Sequence, residues 1–434
     1  MVLAPEESGA GLILGAPDGH WFFAAPADNG AHNNGLTMEG NNALRMIHAM
    51  IVMHTARTSE IDEIKDAVSE ITSQIDLAAL KKNSAGLIFC HMDFVESGVV
   101  AALCEALPFN VIGMSSMASA DGHGYGLFDL TLTVLTSDAV SFEAGMTGSI
   151  THDNYADEIE RLYARIRGRT ESDPAMIFTF MPYMPDVSGY EVVKAMDASC
   201  HGIPLWGSIT NNMDFRYQTV QTICNGQALP SGIAMLFATG PLEPEFIVSS
   251  IPEHNIANNR AIITKSDNAV LREANDLPIL RYLANIGLVI TDANLTTTPL
   301  MVYYNDSVKP VALGFYTMFE DGSLLAGGEM PVGTSFAVGS IDAAGIFESA
   351  QEGLQQILAR KDRQATLLLP CVTRYIMLAP EQERELRLIQ DQLAASGLPF
   401  MMGYSGGEIC PVKGPDGKYH NQFHNYSFSA CVLS

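Results

Sequence analysis

One arrangement recurs three times in this chain and limits what it can fold into. An apolar run leads into a helix-like stretch, and a second apolar run then ends in glycine and small polar residues. These endings are VIGMSS (Gly113), PLWGSI (Gly207) and FMMGYS (Gly403). A strand, a crossover helix and a strand form a βαβ-like unit, whose two strands pair in parallel. In open α/β sheets, ligands sit beyond the carboxyl ends of strands, which is where these turns stand. The glycines either fix a turn with φ > 0, inherited through duplication, or frame a ligand. The sequence leaves both readings open.

The helices follow from apolar spacing. Ile61, Ile64, Val68, Ile71 and Ile75 recur at 3, 4, 3 and 4, predicting a helix from about Ser59 with Ser59 as N-cap. Further helices are expected over about 95–107, 155–166, 190–199 and 347–358. Another should open at Pro380, with Glu381 and Glu383 in its first turn. Buried strands are expected at SAGLIFC, AMIFTF and ATLLLP, and long strands at FRYQTVQTIC and SGIAMLFATG. GLFDLTLTVLTS alternates as a strand with one wetter face would. The fold class expected is α/β, with two related domains whose mixed sheets are built from repeated strand–helix–strand units. A chain of 434 residues exceeds a single core. The boundaries read as residues 1–41, a tail or an extra strand pair around LILGA and HWFFAA, then 42–245 and 246–434.

Charge excludes some partners. The net charge of −25 repels nucleic acid and anionic membrane surfaces. No segment reaches about 18 uninterrupted apolar residues, so no membrane insertion is expected. The N-terminus lacks the basic region of a signal peptide. The seven cysteines include no CxxC pair and lie mostly in apolar runs, as reduced, buried thiols of a cytoplasmic protein would.

The richest chemistry lies in GYSGGEICPVKGPDGKYHNQFHNYSF, residues 403–428. It contains no GxGxxG, and no GxxxxGK[ST] occurs anywhere. No amphipathic helix follows the glycines to supply free N–H groups for a phosphate. Read as a strand, HNQFHNYSFSACVL places His420 and His424 about 13 Å apart, too far to share an ion. Neither a metal nor a cofactor is therefore expected. Cys371 ends a buried strand three residues before Arg374, whose charge would lower a thiol pKa, and His424 is available as a base. Arg374 could clamp a carboxylate and Glu408 hold an ammonium, with Tyr404, Ser405 and Asn425 supplying hydroxyls and an amide. Alternatively, Arg374 and Glu408 pair with each other.

These residues also carry a resemblance. Cys371 with Arg374, the acidic helix after them, the turn Gly403–Glu408 and the strand with His424 and Asn425 resemble the FIST C-terminal domain. SAGLIFC, VIGMSSMAS, GSITNN and the Gly-Ile-Ala strand resemble the FIST N-terminal domain. Together they cover about residues 42–434. The family's usual Gly-Glu after the first turn is absent, where GMSSMASADGHG stands. The resemblance implies a cytoplasmic sensory module for signal transduction. It would bind a small polar ligand, such as an amino acid, and pass the signal to an output protein. No kinase, cyclase or chemoreceptor segment is recognisable. The ligand-binding residues expected are Cys371, Arg374, Tyr404, Ser405, Glu408, His424 and Asn425. The alternative is an enzyme with Cys371 as thiol nucleophile.

Overall fold

The computed structural model describes residues 51–212, 219–304, 310–414 and 416–434. The expectations for residues 1–41 lie outside them. Three six-stranded sheets share one plan. In spatial order, the first is Val52–Thr58, Leu130–Ser137, Asn83–Cys90, Asn110–Ser115, Thr222–Cys224 and Gln227–Leu229. The second is Ser141–Met146, Ala234–Thr239, Met176–Met181, Leu205–Ile209, Glu408–Ile409 and Phe423–His424. The third is Pro244–Ser249, Phe428–Leu433, Ala365–Leu368, Phe400–Gly403, Ser119–Asp121 and Gly124–Gly126. In each sheet the third and fourth strands are parallel, as their crossover helices require.

The fold is thus α/β, with mixed sheets built from repeated strand–helix–strand units. Two repeats precede residue 245. The third follows it and contains an inserted sheet, from Ala261–Asp267 to Ser335–Val338. That sheet has its own apolar cluster, including Ile263, Leu271, Leu283, Phe315 and Phe336. Its entry and exit are adjacent, bridged at Ile256 and Gly339.

The repeats interlock. The hairpin after each repeat's Gly-ending strand completes a different sheet: the first repeat's joins the third sheet, the second's the first, and the third's the second. The inner faces of all three sheets share one core, with Leu87, Phe89, Phe178, Trp206, Leu367 and Met401. Helices cover the outer faces. The three turns bond directly to one another. Asn211 N–H donates to the Ser115 carbonyl at 3.2 Å, and its side-chain oxygen accepts from Met117 N–H at 3.1 Å. The Tyr404 carbonyl accepts from Ser116 and Asn211, and Gly406 N–H donates to the Ile209 carbonyl at 2.9 Å.

Several local expectations change. Gly113, Gly207 and Gly403 are strand residues without positive φ. Close approach demands them. A Cβ on Gly207 would stand 1.6 Å from the Thr179 carbonyl oxygen, and one on Gly113 2.3 Å from that of Ile88. The strand Leu130–Ser137 has no wet face. Its Leu130, Leu132 and Val134 meet the helices, and Thr131 bonds inward to Ser119 at 2.8 Å. The first helix is Ile64–Ser73, capped by Glu63 rather than Ser59. The 95–107 helix is broken by Gly98, whose φ of 88° lies outside helical space, and runs over Val99–Ala106. Pro380 does not open a helix; that helix is Arg384–Ala395, with Glu385 in its first turn. Of the expected strand FRYQTVQTIC, the described part contains only Thr222–Cys224.

Candidate functional site

The seven residues singled out from the sequence fall into separate environments. Arg374 is buried and fully engaged. Its Nε donates to Glu385 Oε1 at 2.9 Å, and Nη2 to the same oxygen at 2.6 Å and to the Ile346 carbonyl at 2.7 Å. Its Nη1 donates to Ser349 Oγ at 2.9 Å and to the Tyr426 carbonyl at 3.2 Å. These five bonds use all five guanidinium N–H groups, leaving none for a ligand. Arg374 therefore pairs with Glu385, not with Glu408. Tyr404 belongs to the same cluster: its hydroxyl lies 3.2 Å from Glu385 Oε2, and its ring meets Tyr375 edge-on at 5.4 Å.

His424 is also engaged elsewhere. Its Nε2 lies 3.0 Å from the Cys410 carbonyl, and burial pulls its pKa down to about 4. It makes no dyad with Cys371. The stretch from His420 to His424 is not one strand either. Tyr419–His420 pairs with Val412–Lys413, whereas Phe423–His424 pairs with Glu408–Ile409. The exposed His420 side chain meets Asp416 at 3.1 Å. Among the described residues, no cluster of three His, Cys, Asp or Glu side chains is placed to hold a metal ion.

Cys371, Ser405, Glu408 and Asn425 do come together. Cys371 ends the strand run of the third repeat and bridges Ser405 in parallel. Its N–H donates to the Ser427 carbonyl at 2.9 Å. Glu408 is completely buried. Its Oε2 accepts from Ser427 N–H at 3.2 Å and Ser427 Oγ at 2.8 Å, while Oε1 makes no regular hydrogen bond. The Cys371 thiol and Ser405 hydroxyl stand beside this carboxyl group. Burial lifts the Glu408 pKa to about 8, against the acceptor bonds that lower it. Burial, then the neighbouring Glu408, pushes the Cys371 thiol far up. The cation expected to activate this thiol is committed to Glu385.

A cavity of about 190 Å³ opens at Cys371. Its walls are Cys371, Thr373, Gly406, Asn425 and Tyr426 from the third repeat, and Tyr183 from the second. Thr296, Gly314, Phe315 and Tyr316 come from the insertion. None of these described lining residues is charged. Asn425 joins repeat to insertion: Oδ1 accepts from Gly314 N–H at 2.9 Å, and Nδ2 donates to the Tyr316 hydroxyl. Sequence reasoning found Cys371 and Asn425 but missed Tyr183, Thr296, Tyr316, Thr373 and Tyr426. These come from segments far apart in the chain, and no local motif marks them.

Two family models match the chain: the FIST N domain over residues 84–276 and the FIST C domain over residues 281–411. The chain belongs to the FIST family. FIST domains are signal-transduction sensory domains. The cavity draws on both matched regions, Tyr183 from the first and Cys371 from the second, with Asn425 and Tyr426 just beyond. No curated protein matches the chain. Two solved structures align over most of this FIST protein. One is the crystal structure of cyanuric acid hydrolase from A. caulinodans, 11% identical, covering 89% of this chain and 99% of that one, with a TM-score of 0.33. The other is T. maritima PurL complexed with ADP, 10% identical, covering 88% and 71%, with a TM-score of 0.19. Among the described residues, no helix is long and apolar enough to cross a membrane.

Proposed function

We propose that this FIST protein is a sensory module whose input is a small, uncharged polar molecule held in the cavity at Cys371 and Asn425. The observation that carries this reading is the lining. Tyr183, Thr296, Tyr316, Thr373, Asn425, Tyr426 and Cys371, all able to form hydrogen bonds and none charged, line a space of about 190 Å³. Such a site orients a ligand by hydrogen bonds and is small beside the roughly 300–1,000 Å³ of a drug-sized pocket. An amino acid, the ligand suggested by the family resemblance, finds no cation among the described lining residues for its carboxylate. No described lining residue offers a carboxylate for its ammonium, Glu408 standing behind the Cys371 thiol. A ligand touching Asn425 and Tyr316 bridges the third repeat and the insertion, so it changes how firmly the two are joined. A separate output protein would read that change. The seven free thiols, six of them buried, fit a reducing compartment such as the cytoplasm.

The test is thermal shift with a panel of small neutral amides, polyols and carbonyl compounds beside the amino acids. A ligand at about 100 times its Kd adds about 2.7 kcal/mol and raises Tm measurably. The rise should disappear in Asn425→Ala and persist in Arg374→Lys if that variant folds. A rise confined to amino acids, or one that survives Asn425→Ala, would reject this reading.

A further inference from the structure

The register of the repeats shows what is particular to Cys371. Cys90 pairs with Ser115 in the first repeat, Met181 with Ile209 in the second, and Cys371 bridges Ser405 in the third. All three sulfur-bearing residues occupy the same place, at the carboxyl end of the first parallel strand. Sulfur there is a packing feature of the repeat, and by itself says nothing of reactivity. The surroundings differ. GMSSMA aligns with GYSGGE, so Ala118 stands where Glu408 stands. On the neighbouring antiparallel strand, Cys90 faces Leu130, whereas the Cys371 N–H bonds to Ser427. Thus the first repeat encloses its cysteine among apolar side chains. The third gives it a carboxyl group, two serines and a cavity. The buried Glu408 carboxyl has the Cys371 thiol and the Ser405 hydroxyl as hydrogen-bonding neighbours, so one connected polar cluster runs from the carboxyl through the thiol to the cavity wall.

We propose that Cys371 captures a small carbonyl compound, an aldehyde or α-dicarbonyl, as a reversible hemithioacetal, with Glu408 relaying the proton. This rests on the reading of the cavity as a ligand site and names the chemistry of its occupant. Ionised Glu408 takes the thiol proton. A sulfur electron pair forms the C–S bond to the carbonyl carbon, and the C=O π pair moves onto oxygen. That oxygen then receives the proton back from Glu408. The net change is addition of S–H across C=O, with no oxidant or reductant. Thr373 and Asn425 line the same cavity and supply hydrogen-bond donors to the developing oxyanion. Only the ionised fraction of Glu408 accepts the proton, and its pKa lies near 8. The titratable groups facing Glu408 are the Cys371 and Cys410 thiols, with His424 on the paired strand. Burial pushes both thiols up and keeps the histidine neutral, so Glu408 alone titrates in this range.

The experiment uses the full chain with acetaldehyde labelled with ¹³C at the carbonyl carbon, followed by NMR. Wild type should convert the carbonyl resonance to that of a protein-bound hemithioacetal, reversed on dilution. The adduct should persist in Cys90→Ser and disappear in Cys371→Ser. Its rate of formation should rise about tenfold per pH unit up to about pH 8 and then level off. Glu408→Gln should abolish that dependence. Absence of an adduct in wild type overturns the proposal without any variant having to fold. An adduct retained in Cys371→Ser, or a pH profile unchanged in Glu408→Gln, overturns it as well. If neutral amides still stabilise the protein while no adduct forms, only the covalent step falls. If no member of the panel binds, the ligand-site reading falls first.

Discussion

At the scale of single residues, two buried titratable groups pull the stability of this protein in opposite directions. Glu408 keeps its proton up to about pH 8 in the folded state, whereas an unfolded glutamate releases it near 4.3. Between those values the unfolded chain binds fewer protons, so stability falls as pH rises, by up to about 1.4 kcal/mol per unit. His424 has its folded pKa near 4, against about 6.5 unfolded. Its contribution is present above about 6.5 and is lost as pH falls through the folded value. Below about 6.5 the two groups oppose each other, and between 6.5 and 8 Glu408 acts alone. Urea denaturation over that interval should show wild-type stability declining with pH. Glu408→Gln should flatten the decline, its amide oxygen still accepting from Ser427. Equal slopes would mean that the folded carboxyl is already ionised. Glu408 was legible in the sequence as a carboxylate able to hold a ligand, and the registers place Ala118 and Thr222 at the equivalent positions of the other two hairpins. The sequence could not show that the carboxyl is sealed off, because the sealing comes from Ser427 and from the second sheet.

Among the elements, the ion pair between Arg374 and Glu385 ties three helices together: Val372–Met377, Arg384–Ala395 and, through Ser349 and Ile346, Ala343–Leu358. Both charges are almost wholly buried. Removing one leaves the other uncompensated, which costs about 3–5 kcal/mol. Arg374→Ala and Glu385→Ala should each lower stability by that amount in denaturant titrations. Arg374→Met with Glu385→Leu should cost much less than the sum, because no unpaired charge remains. Additive losses would show that the two charges do not depend on each other. Strand and helix identity was legible in the sequence because apolar runs and 3.6-residue spacing are local. Arg374 and Cys371 were legible as exceptional residues, but their partners were not. A buried arginine chooses its carboxylate by packing, and Glu385, eleven residues on, carries no local sign that separates it from Glu381 or Glu383. The turn glycines were misread for a related reason. The backbone of the parallel neighbour demands Gly113 and Gly207, the Phe89 ring of the first sheet demands Gly403, and these neighbours are invisible until the sheets are assembled.

For the whole molecule, the three repeats are bound by exchange of hairpins, so no sheet is complete without another repeat's strands. That exchange is not written in any single repeat, although the repetition itself is plain in the sequence. The inserted sheet stands outside the exchange. It pairs its own strands, buries its own apolar cluster, and enters and leaves at adjacent positions, with the Asn255 carbonyl accepting from Ser340 N–H at 2.9 Å. Insertions whose ends meet are tolerated because replacing them with a short link costs little loop entropy. Replacing residues 256–339 by two or three glycines should therefore leave a core that unfolds cooperatively. The same variant loses Thr296, Gly314, Phe315 and Tyr316 from the cavity wall and frees the Asn425 amide. It should keep the helical circular dichroism of the three repeats, less the contribution of the deleted sheet and its helix Ile279–Asn285, and lose every ligand-induced rise in Tm. A core that collapses without the insertion would make the fourth sheet part of the folding unit. A core that still binds would move the sensory site away from this junction and into the three repeats themselves.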